Sequence, residues 1–304
     1  MIQNLRIAVL SMCIVSGAVA QQDSLNPSNW RLKGIFNLQG TQSSFVNWNA
    51  GGRNNISVLG AFDGAAKYKK KNVKWDNDLG LSLGGLQYLD KGADKGFQKT
   101  DDRIDLQSNV GYEFKKNCYI SFISGFRTQF LDGFTFPDDS VRTSTFMAPG
   151  YLNLSLGIEY SLNNNFSAFL SPVASKLTFV NDQTLADMGA FGVLQGERLR
   201  TEFGAYLRVK YDKELMKNIN MKSKWELFSN YKENPQNIDV NAEVLFLFKV
   251  NKWFSASLNW NLIYDHDIRI TDAHGKTGPR TQFKSVLGLG FTHTVQNYKE
   301  PVKK

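Results

Sequence analysis

After residue 20 no apolar run reaches the roughly eighteen residues that a helix needs to cross a bilayer. With a mean hydropathy of −0.34, this excludes a helical membrane protein. It does not exclude a barrel, whose spanning segments are half polar. Cysteine occurs at positions 13 and 118 alone. If the leader described below is removed, Cys118 has no intrachain partner and no disulfide framework exists. Proline is scarce, 7 residues against 25 glycines, while aromatics reach 13%. That balance suits strands with aromatic ends and tight turns. Histidine is scarcer still, at 3 residues, and leaves little for acid–base or nucleophilic chemistry. His266 and His274 fall in a loop, and His293 sits between Thr292 and Thr294 near the end of the last strand, so a lipid-acting esterase lacks a recognisable Ser–His arrangement. No repeat of the solenoid type occurs, because the hairpins differ in length and residues.

What is present begins with an address. Arg6, the apolar run Ile7 to Val15 and Ala18-Val19-Ala20 before Gln21 have the anatomy of a secretory signal peptide cleaved near Ala20. A lipoprotein reading through Cys13 would place the bulky Met12 where a small residue is usual. Loss of residues 1–20 removes Arg6 and no acid, so the formal charge of +8 falls by one. Residues 21–29 form a short polar lead, 30–295 a barrel, and 296–304 a basic tail.

The barrel rests on period-two alternation. In the stretch from Arg103 to Phe130, Ile104, Leu106, Val110, Tyr112 and Phe114 share one face and Asp105, Gln107, Asn109 and Glu113 the other. Lys115, Lys116 and Asn117 interrupt it, and the chain returns with Ile120, Phe122, Phe126 and Phe130 on one side. Tyr151 to Leu162 alternates without error. Further strands are expected at 30–42, 56–70, 73–88, 166–180, 199–211, 219–231, 238–250, 253–264 and 281–295, with Pro172 marking a bulge. Lengths of about eleven to fourteen residues are roughly twice the globular norm and match a tilted bilayer crossing. Short connections (70–72, 115–117, 163–165, 212–218, 251–252) alternate with long ones, as in barrels with short periplasmic turns and longer outer loops. The expected fold is all-β: a transmembrane antiparallel up-and-down barrel of about twelve strands. Trp75, Tyr112, Phe114, Tyr119, Phe130, Tyr151, Tyr160, Tyr211, Tyr231, Trp253 and Tyr264 fall near strand ends, where aromatic girdles belong.

Three further segments carry a likeness. The loop Phe45-Val46-Asn47-Trp48-Asn49-Ala50-Gly51-Gly52, the strand opening Asn55-Ile56-Ser57 and the closing strand Phe283 to Gly290 resemble uncharacterised outer-membrane barrels of Bacteroidota-type bacteria, grouped as a domain of unknown function. The resemblance implies fold and location and carries no activity.

Candidate functional residues fall in three groups. Arg103, Arg127, Arg198, Arg200, Arg208, Lys210, Lys222, Lys224 and Lys284 are expected to face the lumen, together with Asp63, Asp78, Asp105, Glu113, Glu159, Glu202, Glu226, Asp239 and Glu243. Either they select small polar or anionic solutes, or they pair with one another and partly fill the interior. In the first outer loop, Phe45, Trp48, Gly51, Gly52 and Arg53 form either an inward plug or an aromatic docking platform. The last outer loop gathers Asp265, His266, Asp267, Asp272 and His274, donors suited to a divalent cation but at no recognised ligand spacing.

Basic residues interleaved with acids argue against nucleic-acid binding. The turn Lys69-Lys70-Lys71 and the tail Lys303-Lys304 would instead meet anionic lipid or a protein partner. The loop acids Asp90, Asp94, Asp101, Asp102, Asp138 and Asp139 would repel lipopolysaccharide phosphates unless divalent cations bridge them. The sequence thus predicts a cell outer-membrane protein without cofactor or enzyme activity: a narrow pore or binding barrel for small polar solutes, or else a non-conducting scaffold for a surface or periplasmic partner.

Overall fold

The computed structural model describes residues 29–44, 54–89, 97–135, 141–162, 165–271 and 276–298. The expected leader, most of the polar lead, the Trp48 loop and most of the basic tail lie outside the described residues. Twelve long strands form a closed antiparallel barrel. In chain order they are β1 (Trp30–Ser43), β2 (Asn55–Lys70), β3 (Val73–Tyr88), β4 (Gln98–Lys115), β5 (Cys118–Thr128), β8 (Gly150–Leu162), β9 (Phe166–Phe179), β10 (Leu199–Met216), β11 (Ile219–Asn230), β12 (Ile238–Lys249), β13 (Phe254–Tyr264) and β16 (Gln282–Gln296). Closure comes from β1, which pairs with β2 on one side and β16 on the other. The long outer connections add two small hairpins, β6 (Gly133–Phe134) with β7 (Arg142–Ser144) and β14 (Arg269–Thr271) with β15 (Thr277–Pro279), and a short helix α1 (Gln183–Asp187). These five small elements were not expected from the sequence, whereas the number and order of barrel strands match it.

Antiparallel partners share a face, so the register fixes which side chains point out. Leu106, Phe126 and Leu152 sit side by side across β4, β5 and β8, as do Leu79 and Gly64 on the flank. The outward set includes Phe36, Leu38, Ile56, Val58, Phe122, Leu156, Ile158, Leu170, Leu287 and Leu289, all large, apolar and exposed. A band of that extent in water would be far larger than the apolar patches of soluble monomers. It is the surface of a barrel that spans a bilayer. Ring contacts consolidate the outer face near the short turns: Trp30 packs on Tyr68 and Trp75 with centroids 5.2 and 5.6 Å apart, and Trp253 stacks on Phe291 at 5.3 Å.

Two expected girdle members face the other way. Tyr119 stands opposite Glu113 and Tyr151 opposite Arg127, both on the lumen face. Proximity to a strand end placed them in the girdle, but alternation turns them inward. There Lys69 Nζ lies 3.4 Å from the Tyr119 hydroxyl and Lys74 Nζ 4.2 Å from its ring centre.

The bulge at Pro172 is present and has a defined chemistry. Between the pairs Leu156↔Val173 and Ile158↔Leu170, β8 uses two steps and β9 three. Pro172 cannot donate to the ladder. Ser171 Oγ fills part of the gap, 2.7 Å from the Leu156 carbonyl oxygen, and accepts from the Val173 N–H at 3.2 Å. The close approach needs glycine opposite: a Cβ on Gly157 would lie 2.2 Å from the Leu170 oxygen. The extra residue reverses parity along β9. Before it Phe169 and Ser171 point inward; beyond it Ala174, Lys176 and Thr178 do.

Part of the interior is apolar. Ile123, Phe169, Ala174, Tyr206 and Phe228 form one buried cluster on the walls of β5, β9, β10 and β11. Phe169, 1% exposed, sits at its centre beneath the Arg208 guanidinium, which lies 5.8 Å from the ring centre. Phe169→Ala should therefore lower stability by about 3–5 kcal/mol through lost burial and the cavity left behind. Urea unfolding in detergent micelles, followed by tryptophan fluorescence, reads this; an unchanged midpoint would show that the cluster does not brace the wall.

Candidate functional site

The alternation that sends apolar side chains to lipid sends the polar set into the lumen, where three tiers form along the axis. In the middle tier, Arg127 Nη2 donates to Asp105 Oδ2 at 2.8 Å and to Glu243 Oε1 at 3.3 Å. Arg103 Nη1 donates to Glu243 Oε2 at 3.4 Å. Lys224 Nζ lies 3.5 Å from Glu226 and 3.7 Å from Asp105, and Glu226 also accepts from the Tyr206 hydroxyl at 2.6 Å. In the ring of twelve, β4 and β12 stand six strands apart, so the Arg103–Glu243 pair crosses the lumen from wall to opposite wall. A ring of this size is wider than the eight-stranded barrels that side chains alone can fill. Only long charged side chains meet across it, and here they do.

The tier nearer the short turns pairs Lys74 with Glu159 at 2.9 Å and Lys210 with Asp78 at 3.1 Å. Glu159 also accepts from Asn109 Nδ2 at 2.8 Å and from Ser121 Oγ at 3.1 Å, so its lone pairs are well used. Arg208 is the exception: 2% exposed, with Nε and Nη1 lacking a hydrogen-bond partner among the described residues. Glu113 lies at the end of the strand, where its Oε1 accepts from the Asn117 N–H at 3.0 Å and closes the turn. Lys222 occupies the inward position opposite Asp212. Below, at the rim, a cavity of about 540 Å³ opens among Lys249, Lys252, Trp253, Ser255, Thr292 and His293, with no acid in its lining.

The outer tier centres on a residue that sequence reasoning missed. Lys176 Nζ lies 2.7 Å from Asp239, 2.9 Å from Asp265 and 3.6 Å from Glu202. Simple alternation from Phe169 points Lys176 at lipid; the Pro172 bulge brings it in. Pro172 was itself the available signal, since an inserted residue changes the parity of everything after it. Arg200 meets Glu202 at 3.0 Å and also pairs with Asp267. Lys284 pairs with Asp101, which accepts from Ser82 Oγ at 2.6 Å.

Several expectations need correction. Arg198 is not a lumen residue: β10 begins at Leu199, and the Arg198 guanidinium instead donates through Nε to Gln183 Oε1 of α1 at 3.1 Å. The loop in which it sits is folded, with Asp182 capping α1 and Val180, Leu185, Ala186 and Val193 forming a small core with Ala148. The proposed metal loop is divided. Asp265 and Asp267 are engaged with Lys176 and Arg200, His266 Nδ1 lies 3.2 Å from the Tyr264 hydroxyl, and Asp272 and His274 lie outside the described residues. Among the described residues no three His, Cys, Asp or Glu side chains are grouped to hold a metal. Phe45, Trp48, Gly51, Gly52 and Arg53 also lie outside them. Gly80-Leu81-Ser82-Leu83-Gly84 has the spacing of a nucleophile elbow, but it runs straight through β3 with Ser82 bonded to Asp101 rather than to a histidine.

Electrostatics at the outer end can be read at Asp265, just beyond β13. Burial pushes its carboxyl up, but the Lys176 ammonium and the Asp267 N–H, which donates at 3.0 Å, pull harder and hold it below the usual carboxylate range. A lowered folded value means stabilisation that is complete above the unfolded value of about 4 and is lost as pH falls through the folded one. Asp265→Asn should therefore lower the melting temperature at pH 7, and the gap to wild type should narrow once the pH falls below about 4. A gap that stays constant over that fall in pH would show that Asp265 acts through packing and not charge.

Comparison with known proteins gives a family match over part of the chain and several distant likenesses among solved structures. No curated protein matches the chain. Among solved structures, an outer membrane channel from Pseudomonas putida F1 is 12% identical, with 91% of this chain and 99% of that one covered and a TM-score of 0.40. The translocator domain of the autotransporter NalP from Neisseria meningitidis is 9% identical, with 95% and 94% covered and a TM-score of 0.35. The NanC porin is 7% identical, with 84% and 98% covered and a TM-score of 0.36. A family model described as a protein of unknown function (DUF3078) matches residues 41–134. That stretch holds the Phe45 to Gly52 and Asn55 to Ser57 elements but not the closing strand. Over it, including Arg103, Asp105 and Arg127, the chain is similar to a family of unknown function.

Proposed function

We propose that the protein is an outer-membrane barrel, exported by its N-terminal leader, that passes small polar solutes or ions through a lumen constricted at mid-height. The observation that carries this reading is the bridge from Arg103 and Arg127 across the lumen to Glu243. A barrel without use for its interior is better filled with apolar side chains, since a buried ion pair gains little over hydrophobic residues of similar volume. A column of charges in three tiers, by contrast, offers a solute water-like contacts along the path. The bridge makes that path narrow and sets its conductance.

Planar bilayers test the proposal. Wild type should give small single-channel steps, and the double variant Arg127→Ala plus Glu243→Ala should give steps several-fold larger. Silence from both proteins, each shown to be folded by heat-modifiable migration, would overturn conduction and favour the scaffold reading. The folded outer loop, with Met188 and Leu194 exposed on it, is the surface that such a scaffold would offer a partner.

A further inference from the structure

The chain carries a formal charge of +8, yet its outer mouth is acidic. Glu202, Asp239, Asp265 and Asp267 converge on Lys176 and Arg200, so four carboxylates share two cations, and Glu233, exposed at the rim 3.8 Å from Arg200, adds a fifth. Lys176 is oversubscribed: Asp239 and Asp265 take its N–H groups at hydrogen-bond distance, which leaves Glu202 at 3.6 Å. The Glu202 side chain is 2% exposed; its Oε1 accepts from Arg200 and Asn230, whereas its Oε2 accepts no hydrogen bond from any described residue. A buried carboxylate oxygen without a donor is costly, and a group bringing both N–H donors and positive charge removes that cost.

We propose that the outer mouth binds a small organic cation, a primary ammonium or guanidinium, with Glu202 as its main acceptor and Asp265 and Asp267 beside it. The seat of Lys176 shows how the tier holds such a group. Its ammonium lies within 3.6 Å of three carboxylates, with the ring of Phe228 at 5.7 Å. Aromatic faces favour alkylammonium and guanidinium groups. A metal ion fits less well, because among the described residues no three His, Cys, Asp or Glu side chains are grouped as a metal would need. The opposite rim, with Lys249 and Lys252 and no acid in its cavity, is electrostatically reversed. A cation would therefore be concentrated at the outer end before it meets the constriction. The inference rests on the proposed pore only for the onward route; binding at the mouth does not require conduction.

Isothermal titration of the detergent-solubilised protein with 1,4-diaminobutane should show saturable binding, weakened at least tenfold in Glu202→Gln. Because that variant leaves Lys176 and Arg200 less compensated and can misfold, Asp267→Asn at the rim serves as the second variant, with weakening of severalfold in protein confirmed folded by heat-modifiable migration. Succinate should give no saturable heat. Equal binding by succinate, binding of calcium chloride but not of the diamine, or unchanged affinity in both folded variants would overturn the assignment. Diamine binding by protein that is silent in bilayers upholds the site and overturns the pore; conducting protein without diamine binding does the reverse.

Discussion

A backbone N–H or C=O that faces hydrocarbon without a partner has nothing to bond to, and that constraint organises the rest of this protein. A sheet meets it only by closing, which the β1–β16 pairing accomplishes. Closure gives every strand one face toward lipid and one toward the lumen, so residues two apart share a chemical environment until a bulge, as at Pro172, shifts the parity. The apolar exterior and the charged interior are two halves of one pattern.

Within the lumen a second rule applies, that a charge drawn away from bulk water must find a counterpart. Most do, and the partners come from different depths of the sequence: Lys74 with Glu159, Lys210 with Asp78, Arg127 with Asp105, Glu226 and Glu243. Arg208 and Glu202 each keep a buried polar atom without a hydrogen-bond partner among the described residues, with different characters. Arg208 lies over Phe169 with buried nitrogens unbonded, a cation held by an aromatic face. Glu202, although paired with Arg200 and close to Lys176, keeps one oxygen without a donor in a tier with more carboxylates than cations, which is where the proposed organic cation would bind.

How much of this was legible in the sequence depended on whether a local rule or a distant one decided the matter. The exterior faces, the barrel order and the alternation of short and long connections followed from period two and turn chemistry, which act within a few residues. Pairing inside the lumen was foreseeable in kind but not in partner, because no local pattern links Arg103 to Glu243. Tyr119 and Tyr151 were misassigned by position along the strand when parity was the stronger guide. Lys176 was hidden by one inserted residue at Pro172, and Arg198 was carried inward by extending the alternation one residue ahead of the strand, where its guanidinium instead bonds to Gln183. The loop core around Leu185 could be glimpsed only in Asp182, a residue suited to capping a helix.

Partners separated by 140 positions, as Arg103 and Glu243 are, also bear on the order of assembly. Hairpins such as β4 with β5 bring together neighbours in the chain and can zip early, at small entropic cost. The wall-to-wall bridges have no such option: until the first and last strands meet, the opposite wall is not in place to answer Arg103 or Arg127. These bonds depend on the closed ring, and a chain whose strands join in the wrong order would leave several charges stranded at once. The bridges that narrow the lumen therefore also discriminate between the completed ring and its near misses.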